Sequence, residues 1–295
     1  MPYFNMNSVL LVHGGAGSDE ALNSFLNEVA SESLGTDELY SSVNAVCRME
    51  DDPRFNAGTG SYLRIDGSIQ MDASVMVPGK FGAVIGIEKV RNPVKVALDV
   101  MLKSPHVILS GDGATKFARI MGHGFHDPET ERARIVMQNT LKKLEDPSNQ
   151  EDRIAGFRKL INVKDYLSTD TVGAVARVSG RFAGAVSTGG SSPMMRGRVG
   201  DVPIPGAGIY VGSEGAVVAT GVGEEIIKRI LCYNVYLRIN EDSLLDVLRE
   251  EISGFTDPVG LIAVNRKEHA WHANRQMSTG TSVKNAVLNK YLTPL

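Results

Sequence analysis

Residues 170–176 read DTVGAVA, and they place Thr171 at the start of an apolar stretch. The stretch continues to Val178, and the pair Ser179-Gly180 separates it from a second apolar run at Phe182–Ser187. Two apolar runs joined by a turn dipeptide predict a β-hairpin. The first residue of this hairpin is Thr171, which becomes an N-terminal residue if the chain is cut after Asp170.

An N-terminal threonine is a recognised catalytic group. A threonine hydroxyl needs a base to remove its proton, and a free α-amine with a pKa near ~7.7–8.0 can be that base. The pair of a threonine and its own amine is a known variant of the catalytic triad. Threonine is also favoured in strands for steric reasons, so Asp170-Thr171 needs support from the rest of the sequence.

Composition excludes several classes of protein. The chain has 295 residues, 42% hydrophobic and 22% charged, with a net charge of -3 and scattered basic residues, which argues against a nucleic-acid surface. Cys47 and Cys232 lie far apart without CxxC partners, as expected in a reducing compartment. The first residues lack a signal-peptide pattern, and no apolar run reaches the roughly 20 residues that span a bilayer. We therefore expect a cytoplasmic protein without membrane or nucleic-acid partners.

The order of predicted elements favours an α+β fold. Helices and strands follow one another without regular βαβ alternation, which indicates antiparallel sheets covered by helices. Further strands are predicted at Ser8–Val12, Ser68–Val77, Phe81–Ile87, Ile209–Val211, Ala216–Ala219, Val259–Val264 and Ala270–His272. Helices are predicted at Asp19–Ser31, Thr36–Met49, Asn92–Leu102, Gly113–Met121, Glu129–Leu144, Gly223–Arg238 and Asp242–Ile252. A tight glycine turn is predicted at His13–Gly17, and the charged segment Glu145–Thr169 is interpreted as a mobile connector.

Two glycine-containing segments carry further chemical hypotheses. Thr220–Glu224 reads TGVGE between a strand and a helix, where backbone N–H groups suit an anion or a developing oxyanion, although a plain chain reversal fits as well. It is not a dinucleotide fingerprint, because Ile226 replaces the third glycine. Gly197–Asp201 reads GRVGD, and its Arg198 and Asp201 suit the carboxylate and ammonium of a zwitterion, or else form a surface salt bridge.

Other catalytic classes lack their motifs. The six histidines do not cluster at metal-ligand spacing, and no Gly-x-Ser-x-Gly elbow is present. His123 and His126 lie three apart but have no neighbouring acidic or cysteine partner of similar quality, and the remaining four are interpreted as structural. A catalytic metal is therefore not expected.

Seven segments in order resemble the plant-type asparaginase and isoaspartyl peptidase family of N-terminal nucleophile hydrolases. They are HGGAG at 13–17, FNAG at 55–58, MDA at 71–73 with Met76, TVGAVA at 171–176, STGG at 187–190, GRVGD at 197–201 and TGVGE at 220–224. The resemblance implies one domain over residues 1–295, a four-layer αββα sandwich of two mostly antiparallel sheets. It also implies self-cleavage into an α portion, 1–170, and a β portion, 171–295, after which cleaved protomers form a homodimer.

The same resemblance assigns roles to individual residues. Thr171 is expected to be nucleophile and base, with Thr188 near its amine and Asn56 beneath it. Thr220 and the Gly221 N–H are expected to form the oxyanion hole. The clamp residues for the α-carboxylate and α-ammonium are expected to be Arg198, Asp201 and the Gly223 carbonyl. No organic cofactor is implied, but a structural sodium ion is, held by backbone carbonyls of the loop from 49 to 59.

Two departures from the family pattern leave the substrate open. Asp170 replaces a common glycine and is similar to glycosylasparaginases and threonine aspartases, while Val222 replaces a threonine. The leading expectation is hydrolysis of L-asparagine and β-aspartyl dipeptides. The alternatives are a glycosylasparaginase-like amidase, an endopeptidase that cuts after aspartate, and an uncleaved protein that binds amino acids or peptides without turnover.

Overall fold

The computed structural model describes residues 6–145, 168–169, 171–241 and 243–285. Within them lie thirteen strands and eight α-helices. The strands are β1 Ser8–Ala16, β2 Met71–Val77, β3 Lys80–Ile87, β4 Ile108–Ser110, β5 Ser168–Thr169, β6 Val172–Val178, β7 Arg181–Thr188, β8 Ser191–Ser192, β9 Ile209–Gly212, β10 Gly215–Gly221, β11 Val259–Asn265, β12 His269–Ala273 and β13 Met277–Lys284. The helices are α1 Asn23–Ser33, α2 Glu38–Glu50, α3 Pro93–Lys103, α4 Gly111–Ile120, α5 Glu131–Glu145, α6 Gly223–Arg229, α7 Leu231–Leu237 and α8 Leu244–Ile252.

Two large sheets contain most of the strands. The first has seven strands in the order β13-β1-β6-β7-β2-β3-β4, and the second has four in the order β12-β11-β10-β9. All pairings are antiparallel except that of β3 with β4. The predicted hairpin is confirmed, because β6 pairs with β7 from Val172 opposite Ser187 to Val178 opposite Arg181.

The sheets and helices form four layers, which confirms the αββα prediction. Helices α1, α2 and α3 contact the outer face of the seven-stranded sheet, while α7 and α8 contact the four-stranded sheet. The inner faces of the two sheets contact each other, as seen between β6 and β10 and between β1 and β11. Each of the three boundaries between layers has its own hydrophobic cluster.

Strand alternation decides which side chains reach the layer between the sheets. In β6, Val172 and Ala174 pack towards the helices, whereas Val175 packs between the sheets. In β1, Leu10 faces the helices and Val9 and Leu11 face the second sheet. Successive strand residues point to opposite faces of a sheet. A polar residue near the end of one of these strands therefore faces the same layer as the residues two and four positions from it in that strand.

The structure corrects several predicted boundaries. The predicted turn at residues 13–17 is largely strand, because β1 continues to Ala16 through an irregularity between His13 and Ala16. The predicted helix Gly223–Arg238 is wrong as one element, since Ile230 has φ 48° and separates α6 from α7. Strands β4 and β13 were not predicted, and β13 pairs with β1 at the edge of the first sheet.

Most of the predicted connector, residues 146–167, lies outside the described residues. In the part that is described, β5 pairs with β8. Ser168 lies opposite Ser192 and Thr169 opposite Ser191, so the chain is in a short two-stranded ladder just before residue 170.

No helix in the described part of the chain is long and apolar enough to cross a membrane.

Candidate active site

Thr171 lies at the beginning of β6, at the end of the layer between the sheets. Its position in the alternation matches that of Val175, so its side chain faces the second sheet. The residue is only 6% exposed. Its hydroxyl donates a hydrogen bond of 3.2 Å to Oγ1 of Thr188, which ends the neighbouring strand β7. The structure therefore brings the predicted nucleophile and the predicted Thr188 into direct contact.

Asn56 fixes the turn that follows Thr188. Its side-chain amide donates to the carbonyl of Gly190 at 2.7 Å, and its backbone carbonyl accepts from the N–H of Gly189 at 2.8 Å. The Gly190 N–H donates in turn to Oγ1 of Thr188 at 3.0 Å. Tyr62 N–H donates to Oδ1 of Asn56, which holds the amide in this orientation. Asn56 is thus two hydrogen bonds from the hydroxyl of Thr188, and its supporting role stays a prediction.

Thr220 lies near the end of β10 and faces the same inner layer as Thr171. Alternation from Ala216 and Val218, which pack between the sheets, puts its side chain on that face. Its Oγ1 accepts the N–H of Ala16 at 3.1 Å. Because that bond uses an oxygen lone pair, the hydroxyl proton remains available for donation. An oxyanion-hole role for Thr220 and the adjoining Gly221 stays a prediction.

The predicted clamp residues Arg198, Asp201 and Gly223 meet at the start of α6. A Cβ atom on Gly223 would lie 2.8 Å from Oδ1 of Asp201 and 3.0 Å from Nη2 of Arg198. Only glycine leaves room for both side chains at that distance. The guanidinium also lies 3.8 Å from the corresponding position on Gly190, so the clamp adjoins the turn that Asn56 and Thr188 hold.

Glu224 occupies part of the clamp, and no role was predicted for it. Its carboxylate accepts from Nε of Arg198 at 3.0 Å and from Nη2 at 2.9 Å. Burial opposes the charge of Arg198, but this bidentate pair raises the guanidinium pKa above its ordinary value. The sequence did contain a signal, since Glu224 is the second residue of a helix, where an acidic side chain points back towards the preceding turn.

Asp201 is a buried carboxylate with an unused oxygen. The residue is 4% exposed, and its Oδ2 has no hydrogen-bond partner among the described residues. Burial raises its pKa to about 7, and the nearby Arg198 opposes that rise. An unpaired buried carboxylate oxygen is costly, and a cationic group placed beside it would be held strongly.

Arg64 holds the backbone of the clamp loop in place, a function that no sequence pattern indicated. It is wholly buried, and its Nη1 donates to the carbonyls of Met195 at 2.7 Å and Arg198 at 3.1 Å. Its Nη2 donates to the carbonyl of Gln70, whose side chain accepts from Gly197 N–H. Such multiple donation in a fixed plane is specific to arginine, so the loop position depends on this side chain.

The loop from 49 to 60 brings backbone carbonyls together at two glycines. The carbonyl oxygens of Pro53 and Phe55 both lie 2.7 Å from the Cβ position of Gly60. At Gly58 the same position is 2.5 Å from the Glu50 carbonyl and 2.9 Å from that of Arg91. Hard cations take oxygen ligands, so this donor set is compatible with the predicted sodium ion.

Other metal chemistry finds no site in the described ranges. No group of three or more His, Cys, Asp or Glu side chains there could hold a metal ion. His123 contacts Asp99 at 2.8 Å, and His126 contacts Thr59 at 2.9 Å, so the closely spaced pair serves two different contacts. Asp170, the residue before the predicted cut, lies outside the described residues.

Comparison with known proteins gives a consistent family. The sequence profile of the family named Asparaginase matches residues 6–293. The chain is similar to the plant-type L-asparaginase of Pyrococcus furiosus, with 43% identity over 235 residues, 74% of this chain and 75% of that protein. It is 37% identical to the isoaspartyl peptidase/L-asparaginase of Rattus norvegicus over 286 residues, covering 89% and 81% of the two chains. The protein of the same name from Homo sapiens is 36% identical over 285 residues, 88% of each chain.

Proposed function

The chain belongs to the asparaginase family, and we propose that it is an N-terminal threonine hydrolase of L-asparagine and β-aspartyl dipeptides. In this proposal the chain cuts itself between residues 170 and 171 into portions 1–170 and 171–295. The observation that carries it is the buried contact between the hydroxyls of Thr171, the residue directly before β6, and Thr188, the last residue of β7. The family needs no organic cofactor.

The chemistry requires only groups that this site holds. Oγ1 of Thr171 attacks the β-carbonyl carbon of the substrate, and its proton passes to the α-amine of the same residue. The bond from that carbonyl carbon to the side-chain amide nitrogen breaks, and the amine returns the proton to the leaving ammonia or amino group. A β-aspartyl ester on Thr171 remains. Water, deprotonated by the same amine, then hydrolyses this ester and restores the free hydroxyl.

Thr220 and Gly221 would stabilise the negative oxygen of each tetrahedral intermediate. The support for Thr220 is its bond from Ala16 N–H, which leaves its hydroxyl proton for the oxyanion. Donors fixed before the reaction are effective, because no reorganisation is needed when charge develops.

The clamp would read the α-carboxylate and α-ammonium of the substrate. Arg198 would offer its guanidinium to the carboxylate, while the carboxylate of Asp201, whose Oδ1 lies beside Gly223, and the Gly223 carbonyl would take the ammonium. Glu224 holds the Nε edge of Arg198, so the carboxylate would bind at the remaining donors or replace Glu224. This recognition of a free amino acid end favours asparagine and β-aspartyl dipeptides over larger internal peptides.

Three further features belong to the proposal. The carbonyls around Gly58 and Gly60 would hold a sodium ion that rigidifies the loop leading to Asn56. A homodimer of cleaved protomers is expected from the resemblance. A location in the cytoplasm is supported by Cys47 and Cys232, which are both buried free thiols.

Mass measurement of the denatured protein tests self-cleavage first. The expected result is two chains, the second beginning at Thr171, whereas a chain that stays intact on prolonged incubation would favour the binding protein. Ammonia release from asparagine is then compared with aspartate release from β-aspartyl-leucine. N-glycosylated asparagine and an internal Asp-containing peptide serve as substrates of the two alternative enzymes, and turnover of only one of these would replace the proposed activity.

A further inference from the structure

His13 is a buried histidine beside the nucleophile that the reaction described above does not use. It lies in β1, where its Cα is opposite Gly173 of β6 on one side and Thr279 of β13 on the other. His13 lies two and four residues from Leu11 and Val9 in the same strand, so its ring faces the layer between the sheets, as their side chains do. The residue has no exposed surface.

The ring lies directly against the backbone of β6, the strand that follows Thr171. A Cβ atom on Gly173 would overlap Nε2 of His13 and would also touch Cγ2 of Val218 at 3.0 Å. Gly173 does not have a positive φ, so glycine is needed here for space and not for backbone conformation. Glycine at position 173 therefore leaves the space in this packed layer that the imidazole of His13 occupies.

The ring nitrogens lack ordinary structural partners. Neither Nδ1 nor Nε2 makes a hydrogen bond with full geometry to any described residue. The one polar backbone group that acts on the ring is that of Thr171, and it favours the protonated ring, as a carbonyl oxygen facing a ring N–H does. Burial outweighs that effect and lowers the His13 pKa to about 3, so the ring is neutral at working pH and keeps one N–H.

A histidine in this place costs stability without an evident structural gain. Its neighbours on the same face of the two strands are apolar, namely Val9, Leu11 and Val175. A buried polar atom without a full partner is unfavourable, and an apolar residue of similar size would remove that cost. A residue retained against stability points to a role in the site.

We propose that His13 is a positioning residue that holds the backbone carbonyl of Thr171 while Thr188 holds its hydroxyl. The inference rests on the proposed function and adds a residue to it. Once the chain is cut before Thr171, that residue has lost one of its two covalent attachments. Holding the carbonyl oxygen and the side-chain hydroxyl fixes the carbonyl carbon and Cβ, which are two of the substituents of Cα. The direction of the amine then follows from the tetrahedral geometry at Cα. Base and nucleophile keep one relative orientation through turnover.

Three variants of the full chain test this role. His13→Leu removes the donor and keeps an apolar side chain of similar bulk. His13→Asn keeps an N–H near the place of Nδ1, and His13→Gln keeps one near Nε2. We expect kcat for asparagine to fall at least about tenfold in His13→Leu with KM within about twofold, because misorientation of the amine affects the chemical step. One of the two amide variants should recover part of the lost kcat and so identify the donating nitrogen.

The control variant is Leu11→Val, which changes the same face of β1 two residues from His13. It should lower the melting temperature by a few degrees and leave kcat unchanged. Rates are expressed per processed protomer, counted by mass. A variant that cleaves itself incompletely is compared instead by its rate of self-cleavage, and we expect the variants to rank in the same order by that rate. Unchanged kcat in His13→Leu, or failure of both amide variants to recover any of a loss, would overturn the role of His13. An inactive wild-type chain would instead overturn the proposed function.

Discussion

Binding of an amino acid to the clamp should weaken sharply as the pH falls, because Asp201 must be ionised to hold an ammonium group. Its carboxyl is buried, and burial raises its pKa to about 7 in the empty site. The charged groups that act on it are Arg198, which favours ionisation, and Glu224 and Asp72, which oppose it. A ligand ammonium beside this carboxylate would lower the Asp201 pKa, so binding below pH 7 releases a proton.

The size of the effect follows from the ionised fraction. For a pKa of about 7, that fraction falls from about 0.76 at pH 7.5 to about 0.03 at pH 5.5. The apparent Kd of a ligand that requires ionised Asp201 should therefore rise about 25-fold, or about 2 kcal/mol, across this range. The sign is fixed, since a raised carboxyl pKa means that protonation, and loss of binding, occurs as pH falls towards and below 7.

The assay compares two dicarboxylates in the processed enzyme. L-aspartate, the product, carries the α-ammonium, whereas succinate has the same carboxylates without it. Calorimetric titration at five pH values should show the 25-fold weakening for aspartate and a change of less than about threefold for succinate. In Asp201→Asn, aspartate should bind more weakly at pH 7.5 but with little dependence on pH. Equal pH dependence for the two ligands, or its persistence in Asp201→Asn, would refute the assignment.

Four further predictions concern single positions. Thr171→Ala should remain one chain by mass spectrometry, because no hydroxyl attacks the preceding carbonyl; a processed Thr171→Ala chain would show that another group cuts it. Thr220→Val should lower kcat by about 100- to 1000-fold with nearly normal cleavage products, as loss of an oxyanion donor does, and steady-state kinetics at saturating asparagine measures it. Gly173→Ala should destabilise the protein by about 1–3 kcal/mol in chemical denaturation because its methyl group overlaps His13 Nε2, and His13→Ala in the same chain should restore part of that loss; equal stability of single and double variants would contradict the overlap. Ile230→Asn should raise stability by about 1 kcal/mol, since a β-branched residue at φ 48° is strained and asparagine tolerates that conformation, and an unchanged denaturation midpoint would argue against strain there.

The hairpin from Thr171 to Thr188 could be predicted because two local signals agree. Apolar runs of strand length lie on either side of Ser179-Gly180, and Ser179 and Gly180 have positive φ, as tight hairpin turns require. The long helix after Gly223 could not be corrected from sequence. Its apolar spacing continues through Ile230, but carbonyls of a distant loop, at Gly206 and Ala207, accept the N–H groups of Tyr233 and Cys232 and begin a new helix.

Strand β13 escaped prediction for a related reason. Met277–Lys284 has few apolar residues, and its stability comes from pairing with β1 and from α1. The side chains of Asn23 and Asn27 accept the N–H groups of Thr279 and Thr281, which satisfies an edge that no further strand among the described residues covers. Such a strand is specified by its neighbours, so local periodicity gives no signal.

For the site, the residue types could be predicted from the sequence, whereas the directions in which their side chains point came from the structure. The same layer is faced by Thr171, Thr188 and Thr220, because each lies an even number of residues from a side chain that packs between the sheets. Predicting this would require knowledge of how the strands pair. The partner of Arg198 could not be derived either. A salt bridge to Asp201 or a free guanidinium was equally compatible with GRVGD, whereas the bidentate pair is with Glu224, 26 residues along the chain.

The order of strands in the larger sheet also determines how a cleaved molecule would lose and regain its structure. Strand β1 of the first portion lies between β13 and β6 of the second, and β2 of the first portion pairs with β7 of the second. Neither fragment can leave without breaking these three ladders and that of β5 with β8, so dissociation and global unfolding are one event. The uncut chain refolds as a single molecule, but the two fragments must first meet. The denaturation midpoint of the processed protein should therefore rise with protein concentration, while that of the precursor should not.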